Sequence, residues 1–533
     1  MSKLYTFCDK SWIHWIFLPH GPIIKKDRRR AEMNTEKKLH IGNSVLRMVL
    51  VGISLLFQVG WLLVAVLVMN ESFPWIEMIT RILSVVVILG LNSKYTDSAY
   101  KMPWIMLIMA VPVMGLSLYL MMDLFGDLGS IGKRLKASRQ MVREKLKNTV
   151  PVAGIGHYLQ EHRGCPAYEN TSVDYYPEAS DALEALKASL EQAESFIFME
   201  YFIVSGDSSF QELADILIRK ARQGVDVRFM YDDVGSVGYV NMLFAKRLAD
   251  AGIHCTVFNP ALPLLNVFMN HRDHRKITVI DGKVGFTGGF NLSDEYFGRK
   301  ITYGRWKDTG IRLEGEAVRS LTAAFLEMWD ACTRTREDVE NYLSVVHKVP
   351  GDCLVQPYED DPLGRERVAE NVYLHLIHSA RKSLYAVTPY LIITDEMTNA
   401  LGLAAKRGVD VRIITPGVPD KTLVYGVTLS YYAGLAAQGV RIFEYTPGFC
   451  HAKQMLCDGT MASIGTSNLD YRSLYLHFEN NVLLQGGQAV ADMARDCEEL
   501  FNQCREVTEK YRSGRSRALR LGQYILRLFA PLL

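Results

Sequence analysis

The sequence predicts an α/β protein: two pseudo-symmetric lobes, each a mixed sheet flanked by helices, preceded by an N-terminal transmembrane region. Three observations carry this expectation: an uncharged apolar stretch from Met48 to Met69, a repeated Gly-Val-Asp-Val-Arg, and a repeated His-x-Lys-x4-Asp. With 533 residues, 49% of them hydrophobic and 22% charged, the chain has ample apolar surface to bury, which excludes a disordered chain and a small stapled scaffold. Its 60 Lys and Arg against 58 Asp and Glu say nothing about partners. The nine cysteines, an odd number without any Cys-x-x-Cys spacing, read as reduced thiols, which favours the cytosolic side for the soluble part.

In chain order, residues 1–47 form a basic arm, with Lys25, Lys26, Arg28, Arg29 and Arg30 in one run. The apolar piece Trp12 to Leu18 contains His14 and precedes that cluster, so no cleavable signal is expected. Residues 48–122 are expected to be the transmembrane region, with spans over 48–69 and 104–122, both uncharged and long enough to cross a hydrocarbon core as helices. The segment 75–91 between them places Glu77 and Arg81 ahead of the apolar run Ile82 to Leu91, and a third span, a re-entrant turn and an interfacial helix all stay open. Residues 123–175 read as a basic linker carrying Lys133, Arg134, Lys136, Arg139, Arg143, Lys145 and Lys147. The positive-inside tendency places both basic flanks in the cytoplasm, which favours two crossings, a multi-pass cell-membrane protein, and lobes on the cytoplasmic side.

The lobes are expected over 176–345 and 346–510. Gln223 to Arg228 and Arg407 to Arg412 share Gly-Val-Asp-Val-Arg, each a glycine that ends a helix followed by an apolar run that starts a strand. Gly252 and Gly439 open a second such strand, ending at Asn259-Pro260 and Thr446-Pro447. This alternation favours mixed or mostly parallel sheets with helices on their faces. Residues 511–533 intersperse Arg515, Arg517, Arg520 and Arg527 with leucine, isoleucine and phenylalanine, a basic amphipathic tail that either lies on anionic headgroups or docks on the protein.

After each Asn-Pro or Thr-Pro comes the same motif: His274, Lys276 and Asp281 in the first lobe, His451, Lys453 and Asp458 in the second. In both copies an asparagine follows the histidine by the same interval, Asn291 after Thr287-Gly-Gly-Phe and Asn468 after Gly465-Thr-Ser. Alternation along a strand puts each histidine and lysine on one face, the Asp-Gly pair reads as a hairpin turn, and the return strand brings the asparagine back beside the histidine. Asp281 and Asp458 belong to the motif and lie at that turn, which makes turn architecture their main expected role. The converging imidazole, ammonium and carboxamide suit a phosphodiester, which needs a nucleophile, neutralised non-bridging oxygens and a proton for the leaving alkoxide. The chemistry demands no metal and no cofactor, and His271 with His274 point to opposite faces of a strand, a poor start for a metal site.

The duplicated motif resembles the phospholipase D superfamily, and the apolar N-terminus resembles its bacterial cardiolipin synthase branch. The resemblance implies that His274 is the nucleophile and His451 the general acid and then base. It also implies an acidic partner downstream of each active histidine, for which Asp308 and Glu479 are the candidates, fixing the tautomer and stabilising the imidazolium.

The expected reaction is phosphatidyl transfer between two phosphatidylglycerol molecules through a phosphatidyl-histidine, giving cardiolipin and glycerol, with an anionic membrane as the second partner. No nucleotide-phosphate loop is present in the sequence, and exchange of one phosphodiester for another needs none. The alternative is a membrane-bound phospholipase D that uses water and releases phosphatidic acid. A nucleic-acid phosphodiesterase fits poorly, because the clustered charge lies at the membrane flanks and not across the lobes. A non-catalytic scaffold fits poorly because both motifs are intact.

Overall fold

A computed structural model describes residues 74–513 except 95–97, 126–127, 147–149, 242, 261–270, 336–338 and 365, with isolated positions in 49–64 and 522–530. Two sheets of matching strand order form the body. The first runs Thr171–Tyr176, Gly310–Gly315, Val284–Gly288, Lys276–Ile280, Phe196–Tyr201, Asp226–Asp232, His254–Phe258. The second runs Leu354–Asp360, His477–Gln485, Met461–Gly465, Gln454–Cys457, Ser383–Val387, Asp410–Pro416, Arg441–Tyr445, and adds Cys504–Glu506 at its edge. In each, the three consecutive strands at one side are parallel and the motif hairpin pairs antiparallel beside them. The α/β expectation with mixed sheets therefore holds. Strand Lys276–Ile280 is buried at every position, as a central strand covered on both faces must be.

The lobes share one core. Helix Val318–Thr333 is buried along nearly its whole length, and its Leu321, Phe325 and Trp329 belong to the same apolar cluster as Val355, Val482 and Val490 of the second lobe. Each lobe has a further cluster under its outer helices, around Phe210 and Phe229 in one and Leu401 and Leu435 in the other.

The segment 123–175, expected as a basic linker, is part of this body. Helix Ser130–Arg143 packs on Val318–Thr333, and Thr171–Tyr176 is the edge strand of the first sheet. Its arginines face inward. Arg139 pairs with Glu327 at 2.9 Å and with Asp361, Arg143 pairs with Glu327 at 3.0 Å and Glu359 at 3.1 Å, and Arg134 donates to the Ala331 carbonyl. Glu359 also holds Arg275 at 3.0 Å, so one ionic network joins this helix to both lobes. Lys133 and Lys136 alone of the helix's basic residues stay exposed without being drawn into it.

No helix of the described residues is long and apolar enough to cross a membrane. The basic arm 1–47 and nearly all of the expected span 48–69 lie outside the described residues. The other expected span, 104–122, is divided between helices Ser98–Ala110 and Pro112–Phe125. Pro112 disfavours helical geometry at Val111, and Gly115 closes the bend: a Cβ there would stand 2.6 Å from the Leu107 carbonyl oxygen. Segment 75–91 forms most of helix Pro74–Ser93, whose Met78, Ile79, Ile82, Val85, Val86 and Leu89 are exposed. Of the tail, Leu526 packs on the second lobe's cluster and Arg527 lies 4.2 Å over the Tyr431 ring, a docked arrangement at those positions. The eight described cysteines are all free.

Glu327, 1% exposed at its side chain, holds two arginines. Glu327→Ala is expected to lower unfolding free energy by about 3–5 kcal/mol, because it strands buried cations. Chemical denaturation of the solubilised protein measures it, and a loss below about 1 kcal/mol would show the network to be idle.

Candidate active site

Lys276 begins its strand and His274 stands two residues before it, and Lys453 and His451 repeat this arrangement just ahead of Gln454–Cys457. Each lysine Nζ donates to the carbonyl of its own motif's histidine at 2.5 Å. All four side chains are nearly closed to solvent: His274 is 6% exposed, His451 7%, and both lysines 1%.

The histidines are placed by exchange between lobes. The short strand Arg272–Asp273 pairs parallel with His477–Phe478 of the second lobe, and the His274 N–H donates to the Phe478 carbonyl at 3.0 Å. Reciprocally, Gly448–Cys450 pairs parallel with Arg305–Lys307 of the first lobe, and the His451 N–H donates to the Lys307 carbonyl at 2.7 Å. The residue immediately after each accepting carbonyl is the acid. His274 Nδ1 lies 2.9 Å from both oxygens of Glu479, and His451 Nδ1 lies 2.6 Å from Asp308 Oδ2. The expectation of an acid downstream of each histidine holds for Glu479 with His274 and fails for Asp308, which precedes His451 in the chain. Asp308 and Glu479 are the partners, but crossed, because the strand pairs that fix the two histidine backbones run between lobes.

Close approach makes this possible at Gly289. A Cβ there would stand 2.1 Å from Asp308 Oδ1 and 3.1 Å from the His451 carbonyl oxygen.

Asp281 and Asp458 do not reach the histidines. They sit at the far end of the hairpin strand with positive φ, 53° and 52°, each before a glycine of positive φ. Asp281 accepts from the backbone N–H groups of Glu194, Ser195 and Phe196, and Asp458 from those of Arg381, Lys382 and Ser383. Each carboxylate pins the start of the neighbouring parallel strand, so its work is architectural. The asparagines divide. Asn291 Oδ1 accepts from the Ile203 N–H at 3.0 Å and holds the loop after Phe196–Tyr201. Asn468 leaves its buried Oδ1 without a partner.

Several site residues were not read from the sequence. The His274 ring meets Phe202 edge-on at 4.9 Å and His477 at 5.5 Å. The His451 ring is walled by Tyr296, Trp306 and Phe449 at 5.2, 5.3 and 5.8 Å. Asn480 bridges the lobes, accepting from the Lys276 N–H at 3.1 Å and donating to Thr287 Oγ1 at 2.7 Å, and Thr466 donates to Glu479. Asn480 follows Glu479 as Thr309 follows Asp308, a parallel that only the duplicated register could reveal. His274, His477 and Glu479 could together offer ligand atoms to a metal, each pair within 4.8 Å, which is wide for a preformed site.

Burial governs the protonation states. It pushes His274 well below the ordinary imidazole range, with Lys276 adding to it, and lifts Glu479 well above the carboxylate range against the pull of Lys276. His451 falls to about 4 through burial first and Lys453 next, with Asp308 opposing. Lys276 falls to about 7 and Lys453 to about 8, burial leading in both. The empty site is therefore short of negative charge, and an anion among two imidazoles and two ammonium groups would relieve it.

The family profile described as "Cardiolipin synthase, PLD-like domain" matches residues 186–329 and 373–504, both halves of the site. The chain belongs to this cardiolipin synthase, PLD-like family. It is 35% identical to a cardiolipin synthase of Alkalihalophilus pseudofirmus over 81% of this chain and 88% of that one. It is 38% identical to an uncharacterized protein of Streptococcus mutans, over 84% of this chain and 99% of that one. Among solved structures, a phosphatidylserine synthase of Haemophilus influenzae superposes with a TM-score of 0.50 at 14% identity, over 68% of this chain and 93% of that one, a likeness of fold.

Two outcomes test this geometry. Asp281→Ala removes three backbone partners and is expected to lower the melting temperature, corresponding to about 2–3 kcal/mol, while the folded fraction keeps its turnover within about threefold. Equal loss of turnover in folded protein would place Asp281 in the chemistry. Because Lys276 and Lys453 must stay protonated to hold an anion, kcat/KM is expected to fall as pH rises through about 7 to 8. Lys453→Arg, which stays charged, should shift or remove the alkaline limb, and an unmoved limb would assign it to another group.

Proposed function

We propose that the protein is a cardiolipin synthase, a phosphatidyltransferase that joins two phosphatidylglycerol molecules into cardiolipin and glycerol. The observation that carries this reading is the pair of imidazoles, each oriented through Nδ1 by a buried carboxylate of the opposite lobe. Family membership and the 33% to 39% identity to cardiolipin synthases support the same conclusion.

Lys276 and the Thr466 hydroxyl favour the ionised form of Glu479 against burial; with Nδ1–H donated to that carboxylate, the neutral His274 ring presents Nε2 to phosphorus, and the carboxylate stabilises the charge that develops on the ring. His274 attacks the phosphodiester of one phosphatidylglycerol, the P–O bond to the headgroup glycerol breaks, and His451 gives that oxygen a proton. Asp308 and the bound phosphodiester anion both favour the protonated ring, so in the complex His451 carries the proton that burial and Lys453 deny it in the empty site, and Lys453 keeps its own. The ammonium groups, with Asn468, offset the charge on the non-bridging oxygens. His451 then takes the proton from a glycerol hydroxyl of the second phosphatidylglycerol, which attacks phosphorus and frees His274. The aromatic wall around His451 disfavours water as acceptor. On this reading the membrane is the second partner: the exposed apolar face of helix Pro74–Ser93 suits hydrocarbon, and the expected multi-pass anchoring with cytoplasmic lobes remains part of the proposal.

Purified enzyme with phosphatidylglycerol alone should release glycerol and cardiolipin in equal amounts, and His274→Ala should lower both at least about a thousandfold without changing membrane recovery or melting. Phosphatidic acid as the main product would make the enzyme a hydrolase, and persisting turnover in the variant would remove His274 from the mechanism.

A further inference from the structure

The exposed apolar side chains of the catalytic body are not scattered. From residue 130 onward, the described residues with large exposed hydrophobic side chains are Val234, Tyr239, Leu243, Ile301, Val418 and Leu423, plus Met141, Val346 and Leu403. The first six converge on the mouth of the site from separate stretches of both lobes. Val234 adjoins Gly235, which touches Phe202, the ring against His274. Tyr239 lies within electrostatic reach of Glu295, Tyr303 and Asp420, so the stretches carrying Leu243, Ile301 and Leu423 lie close together. The Val418 N–H donates to the Gly448 carbonyl, one residue before Phe449, which walls His451. Val234 and Val418 each come two residues after the C-terminal end of a parallel strand, Asp226–Asp232 and Asp410–Pro416, the edge where an α/β sheet presents its site.

Basic residues stand exposed beside this rim: Lys246 near Leu243 and Lys421 near Leu423, with Lys300, next to Ile301, paired to Glu295 at 2.6 Å. Water-facing protein surface does not gain from such a ring, whereas apolar side chains alternating with cations match the boundary between acyl chains and anionic headgroups.

We propose that this rim docks the mouth of the site on an anionic lipid bilayer, its apolar side chains entering the interface so that a headgroup phosphodiester rises into the site without its acyl chains leaving the membrane. The proposal rests on the phospholipid reading above but names a contact separate from the N-terminal helices. It accounts for two histidines that are almost fully buried yet serve substrates that cannot dissolve: the rim brings the bilayer to the opening.

The test uses the full chain reconstituted in vesicles, with release of headgroup glycerol as readout, a step common to synthesis and hydrolysis. Leu243→Asp, Ile301→Asp and Leu423→Asp are each expected to lower turnover of vesicle phosphatidylglycerol about tenfold or more, and turnover of monomeric dihexanoyl phosphatidylglycerol less than about threefold. Val346→Asp and Leu403→Asp should change neither. Unchanged vesicle turnover in the rim variants, or equal loss on the monomeric lipid, would overturn the proposal. A second measurement is independent of activity: in Ile301→Trp, brominated phosphatidylglycerol should quench the added fluorescence, and in Leu403→Trp it should not. If the wild-type enzyme turned over neither lipid, the functional reading would fail while quenching still decided the rim.

Discussion

Everything at the site depends on one exchange: each lobe supplies the backbone carbonyl and the carboxylate that hold the other lobe's histidine. The pairs Arg272–Asp273 with His477–Phe478, and Gly448–Cys450 with Arg305–Lys307, place Glu479 under His274 and Asp308 under His451. Neither half can orient its own imidazole. A hinge or sliding of the lobes would therefore misplace both imidazoles at once, and in an active site displacements of about 1 Å are enough to cost large factors in rate. This explains why the interface is built like a core, with helix Val318–Thr333 buried along nearly its whole length and an ionic network on Glu327 and Glu359 tying helix Ser130–Arg143 across the seam.

The same closeness sets the electrostatics. Two imidazoles, two ammonium groups and two carboxylates share a space almost without solvent, and burial drives the bases down and Glu479 up. Such a site costs stability when empty. An incoming phosphodiester monoanion supplies the missing charge, so the group that strains the apo protein is the group that selects its substrate. Aspartates elsewhere in the motif offset this cost by stiffening the scaffold: Asp281 and Asp458 each tie three backbone N–H groups at the end of the sheet away from the chemistry.

The basic segment after the N-terminal helices shows how composition can mislead. Seven cations against one acid read as a charge signal for a membrane, yet Arg139 and Arg143 are inside, partnered by acids distant in sequence. Their opposite charges, Glu327, Glu359 and Asp361, lie about two hundred residues away, beyond any local pattern. The bend at Val111 and Pro112 has a local cause in the proline, but its closure against Leu107 depends on Gly115, which a count of apolar residues does not weigh.

By itself the sequence determined the repeat, the α/β alternation, the Asp-Gly hairpin turns and the recurrence of each histidine with its lysine, because each is written in short-range spacing and periodicity, whereas Asp308 and Glu479 came only from the family resemblance. Tertiary structure alone decided which acid serves which histidine, that the motif aspartates brace strands, that Asn291 is spent on the Ile203 backbone while Asn468 keeps a free acceptor, and that aromatic rings close the pocket. The physical reason is range. Turns and strands follow from neighbours a few residues apart, whereas these contacts join residues that meet only once two folded lobes have docked, at a cost in chain entropy that no local pattern encodes.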